Sequence, residues 1–112
     1  MAWTIDDAVS HQRLRDARIF VREVSFRLAE LKPIIKIRLF RYPGDKEVYF
    51  ELSHFIRLPG QTGTPHLSLK SDGNEAYALT HAVEALIESY DSGVKKGHEP
   101  SDAWLIPNPD YI

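Results

Sequence analysis

Ile19-Phe20-Val21-Arg22-Glu23-Val24-Ser25-Phe26-Arg27-Leu28 is the stretch on which the fold turns, because two periodicities run through it. Leu14, Ala17, Val21, Val24, Leu28 and Leu31 recur at spacings of 3, 4, 3, 4 and 3, which keeps one face of a helix apolar. Val24, Phe26 and Leu28 also alternate with Glu23, Ser25 and Arg27, as in a strand. The longer stripe predicts a helix over residues 6–31, with Asp6 and Asp7 at its positive end and Lys32-Pro33 as its stop. Residues 19–28 stay open to the strand reading. In a helix, Ile19 and Phe26 form a second apolar side, which meets another layer or another chain.

Downstream, Ile35, Ile37 and Leu39 alternate with Lys36, Arg38 and Phe40, and Val48, Phe50 and Leu52 alternate with Glu47, Tyr49 and Glu51. Tyr42-Pro43-Gly44-Asp45 joins them as a turn, so residues 34–53 read as a hairpin. With Pro43-Gly44 as its loop, Ile35 faces Leu52, Ile37 faces Phe50 and Leu39 faces Val48. On the other, solvated side Lys36 pairs with Glu51 and Arg38 with Tyr49. Residues 59–65 collect turn formers, and residues 66–70 alternate as a third strand. Asp72 and Glu75 then resemble a capping box. The helix after them carries Ala76, Leu79, Val83, Leu86, Ile87, Tyr90 and Val94 on one face. It keeps Thr80, Glu84, Glu88 and Asp91 off that face and ends at Lys95, Lys96 and Gly97.

The expected fold is therefore α+β, one domain over residues 1–112 in the order α-β-β-(β)-α. It has a long N-terminal helix, a two- to three-stranded antiparallel sheet, a second long helix and an extended tail over residues 103–112. Trp104, Leu105, Ile106 and Tyr111 make that tail apolar, so it packs on the core or on a partner.

Composition narrows the function. The 112 residues have 43% hydrophobic and 27% charged side chains, a net charge of −2 and no cysteine. Disulfides, thiol catalysis and cysteine-ligated metals are excluded. No apolar run reaches the roughly 18–20 residues of a membrane span. Met1-Ala2-Trp3-Thr4-Ile5-Asp6-Asp7 lacks a signal-peptide pattern, so a cytoplasmic location is expected. The net charge hides a gradient. Residues 1–41 carry nine basic and five acidic side chains, a balance of +4, and residues 42–112 carry five and eleven, a balance of −6. Such a chain can dock head to tail or offer a basic face to an anion.

Catalytic and metal chemistry find little footing. His11, His54, His66, His81 and His98 form no paired-histidine motif, and His81 with Glu84 lacks a matching pair on a second helix. Ser53 and His54, adjacent in a strand, are expected to point to opposite faces and not to bond. Glu47 and Glu51 lie ~13 Å apart along a strand, too far to share a substrate bond. Gly60-Gln61-Thr62-Gly63 with Arg57 could cradle a phosphate, yet it joins strand-like segments and no Walker lysine follows. No catalytic residue, metal ligand or cofactor is expected.

Leu58-Pro59-Gly60, then Ser71-Asp72-Gly73-Asn74-Glu75-Ala76 opening a helix with Ala82 and Ala85-Leu86-Ile87, and Gly97 with Pro100 after it, resemble HicB-like antitoxins. The resemblance covers under half of the chain. It implies a three-stranded sheet packed on one helix and a partner toxin. The chain departs from it in the helix before the sheet, in extra residues before the helix cap, and in the Trp-containing tail.

The expected function is that of a non-enzymatic protein-interaction module whose partner is another protein or its own copy, as a homodimer. Ile19, Phe26, Trp104, Leu105, Ile106 and Tyr111 are its candidate contact residues. The alternative is a nucleic-acid-binding or antitoxin-like regulator using Arg15, Arg18, Arg22, Lys36, Arg38 and Tyr49. No membrane partner is expected.

Overall fold

A computed structural model describes residues 3–61 and 74–111. The third strand expected at residues 66–70, the cap at Asp72 and most of the glycine loop lie outside the described residues. The elements are α1 (Ile5–Val9), β1 (Ile19–Phe26), β2 (Ile35–Arg41), β3 (Tyr49–Leu52), β4 (His54–Ile56), α2 (Glu75–Lys95) and β5 (Leu105–Pro107). β1, β2 and β3 form an antiparallel sheet in that order, and β4 pairs with β5. The class is α+β, but with one long helix among the described residues.

The long N-terminal helix is thus corrected to one short helix and a strand. Five of the eight β1 residues are β-branched or aromatic and suit a pleated surface. Two left-handed residues bracket the strand, Asp16 at φ 55° and Ala29 at φ 48°. Aspartate tolerates that conformation, whereas for alanine it costs about 1–2 kcal/mol. The helix-like spacing has a specific cause. Ladder pairing shifts between Phe20 and Arg22, so Val21 is the extra residue of a β-bulge. Val21 and Val24, three apart, therefore both reach the core, as do Phe26 and Leu28. A bulged strand has imitated a helix stripe.

The hairpin forms, but two residues out of the expected register. Asp45 N–H donates to Tyr42 O at 3.0 Å, Gly44 takes φ 78°, and the ladder begins only at Tyr49. Ile37 consequently faces Leu52 and Leu39 faces Phe50, while Arg38, not Lys36, faces Glu51. A slip of two preserves which side chains share a face, so Ile35, Ile37, Leu39, Phe50 and Leu52 still form the buried side.

α2 covers that side. Asn74 caps it, its side chain accepting from Tyr77 N–H at 3.1 Å. At the other end Gly97, at φ 87°, follows the last turn. The buried row is Ala78, Ala82, Leu86 and Gly93. Small residues let the helix backbone approach closely: a β-carbon on Gly93 would lie 2.6 Å from Leu58 Cδ2 and 2.8 Å from Trp104 Cη2. Ile87 and Val94, expected in the core stripe, are 42% and 46% exposed. The helix has turned its small residues inward and two branched ones outward.

The tail folds onto its own chain. Trp104 and Leu105 are buried, and the Trp104 ring meets Tyr90 edge-on with centroids 5.8 Å apart. Arg57 N–H donates to Trp104 O at 2.8 Å, and Asn108 N–H to Ser53 O at 2.8 Å. The Asn108 side-chain amide also donates to Leu52 O at 2.8 Å. Beyond Asn108 the chain reaches the sheet face opposite α2.

Candidate interaction surfaces

That opposite face is built from cross-strand rows. Phe20, Phe40 and Tyr49 stand side by side across three strands, and the next row is Glu23, Arg38 and Glu51. Ser25 faces Lys36 in the row beyond. It is not the plain solvated surface expected from the alternation, since Phe40 and Arg38 are buried.

Arg38 is the centre of this face. Its guanidinium carbon lies 4.4 Å from the Phe20 ring centroid and 4.3 Å from that of Tyr111. Its Nε and Nη2 donate to Glu23 Oε2 at 3.2 and 3.1 Å. Nη1 approaches Glu51 Oε1 at 3.8 Å, and that buried oxygen accepts no hydrogen bond among the described residues. Arg18 donates to the other Glu51 oxygen at 2.9 Å and lies over the Phe40 ring at 4.7 Å. Phe40 also stacks on Tyr49, with centroids 5.8 Å apart. Planar guanidinium groups suit both partners, stacking on a ring and binding a carboxylate in plane.

Tyr111 closes the face. A turn with Tyr111 N–H donating to Asn108 O at 3.1 Å brings its hydroxyl to Glu23 Oε2, to which it donates at 2.8 Å. Burial, reinforced by this bond to a carboxylate, pushes the Tyr111 pKa up to about 12. The same bond, followed by the Arg38 bond, lowers that of Glu23. The raised value means the neutral phenol is favoured in the folded chain. This contribution is complete below the ordinary tyrosine value near ~10 and is lost as pH rises through about 12. In a tyrosinate absorbance titration, the ionisation removed by Tyr111→Phe should centre near 12. A missing ionisation centred near ~10 would contradict the docked phenol.

The expected site residues divide. Trp104 and Leu105 are core, Ile106 pairs with Phe55, and Phe26 packs against the core. Ile19 is half-buried opposite Arg41. Of the basic set, Arg18, Lys36, Arg38 and Tyr49 gather at the outer face, whereas Arg22 leaves it and bonds Glu75 at 2.9 Å. Arg15 donates to its own backbone, at Gln12 O and Leu14 O. The expectation for Ser53 and His54 is overturned, because a bend separates β3 from β4 and Ser53 Oγ lies 2.8 Å from His54 Nδ1. Ser53 Oγ also accepts Lys36 N–H at 2.7 Å, which gives it a role in holding the bend.

A second surface escaped the sequence reading. Tyr77, Ile87 and Val94 are 54%, 42% and 46% exposed on α2. With the exposed Glu84, Glu88 and Asp91 they occupy roughly a third of the helix circumference. The heptad steps 77–84–91 and 80–87–94 were the available signal. Among the described residues no three histidine, aspartate or glutamate side chains gather as a metal set, and no helix is long and apolar enough to cross a membrane.

Compared with family models, curated proteins and solved structures, the chain matches none. The likeness to HicB-like antitoxins therefore rests on the sequence pattern alone, largely its turn and cap residues.

Proposed function

We propose that this chain is a small non-enzymatic protein-interaction module that associates with its own copy. The carrying observation is the outward face of α2, where Tyr77, Ile87 and Val94 lie in water on one side of a well-capped 21-residue helix. Single exposed apolar residues are ordinary, but several on one helix face mark a contact surface. Contact residues chosen for the tail are consumed within the chain, so association falls to surfaces that remain exposed. Ile87→Asp should leave the helix content unchanged by circular dichroism and shift gel-filtration elution from an associated species to a monomer. Unchanged elution of an associated species would reject this face, and a monomeric parent would reject the reading.

One observation favours the nucleic-acid alternative: the exposed Phe20 and the half-buried Tyr49 share a sheet face with Lys36, and single strands stack on rings set among cations. Against it, Arg18, Arg22 and Arg38 are already held by carboxylates. A single-stranded oligonucleotide titration at low salt that shows no binding discards it.

A further inference from the structure

We infer that self-association is head to tail: the outward face of α2 in one copy seats on the Lys32–Ile34–Lys36 end of the outer sheet face in the next. The inference rests on the self-association proposed above and assigns its two surfaces. Glu84, Glu88 and Asp91 are exposed and enter no ion pair among the described residues. Lys95 lies exposed at the end of this face, so a two-fold contact of two α2 faces centred near Glu84 and Glu88 would set carboxylates against carboxylates, which disfavours an isologous contact there. The complementary surface must be apolar at its centre and cationic at its rim.

Such a surface exists at the start of β2. Ile34 is 58% exposed, and Lys32, Lys36 and the nearby Arg27 are exposed around it. The other arginines of the sheet are spent on Glu51, Glu75, Glu23 and Asp6. Layering supplies a second argument. α2 covers one face of the sheet, while on the other Tyr111 lies over Arg38 and leaves Lys36 exposed, with the exposed Ile34 immediately before β2. A helix from the next copy would complete a helix–sheet–helix stack. Because the two surfaces differ, such contacts build a ring or an open chain and not a closed pair.

Paired charge reversals test this. Glu84→Lys with Glu88→Lys, and separately Lys32→Glu with Lys36→Glu, should each weaken association about tenfold or more. Mixing the two variants should restore it, since each mixed contact is again between opposite charges. Raising the salt should weaken the parent assembly. If the parent associates while neither pair changes it, the assignment is wrong and self-association stands. If Arg13→Glu with Arg15→Glu abolishes it instead, the partner surface is the exposed segment around Leu14 and the assignment is equally overturned. A parent that stays monomeric overturns both readings.

Discussion

Trp104→Ala should lower the folding free energy by about 3–5 kcal/mol, the usual cost of emptying a buried indole site. The indole is 3% exposed, set edge-on against Tyr90 and closed over by the bare backbone of Gly93. Nothing there can collapse cheaply: α2 already lies at glycine distance, and the Trp104 carbonyl is fixed by Arg57 N–H. Domains of this size have only about 5–15 kcal/mol to lose, so the urea midpoint should fall by a large fraction. The substitution also frees the tail, because β5 begins at the next residue. A loss below about 1 kcal/mol would mean that the indole is not part of this core.

Arg38→Met should be nearly as damaging, about 3 kcal/mol, because a buried carboxylate loses its neighbouring cation. Glu51 bears part of that cost: its side chain is 14% exposed, one of its oxygens lacks a hydrogen bond among the described residues, and Arg18 remains as its cation on the other oxygen alone. Glu23, at 36% exposed, can turn to water and suffers less. The double variant Arg38→Met with Glu51→Met should be more stable than Arg38→Met alone, since it removes the half-compensated buried carboxylate, and Arg18, which loses its partner, is 25% exposed and can turn to water. Chemical denaturation of the single and double variants measures this. A double variant no better than the single would show that the row is held by its rings and not by its ions.

Much of this architecture was legible in the sequence. The faces of the hairpin followed from period-2 alternation and survived a register error, because a slip of two leaves each side chain on its face. The helix over residues 75–95 followed from its stripe and its glycine stop. What escaped had physical reasons. A bulge at Val21 converted alternation into three-residue spacing, and the left-handed residues that end the neighbouring loops are Asp16 and Ala29 rather than glycine. On α2 the apolar stripe pointed to Ile87 and Val94, whereas packing selected Ala78, Ala82 and Gly93, because closeness to the sheet counts for more there than side-chain volume. Burial of Arg38 depends on Phe20 and Tyr111 meeting from opposite ends of the chain, and no local pattern signals that. The charge gradient is sharpened too. Most basic side chains of the sheet are neutralised within the fold, whereas Glu84, Glu88 and Asp91 of α2 enter no ion pair among the described residues.

Self-association through charged surfaces is decided by sedimentation equilibrium of the parent chain over a wide concentration range, at low and at high salt. It predicts a mass above the 12.8 kDa of one chain, rising with concentration and falling as salt is added. A mass of 12.8 kDa at every concentration and salt would contradict it.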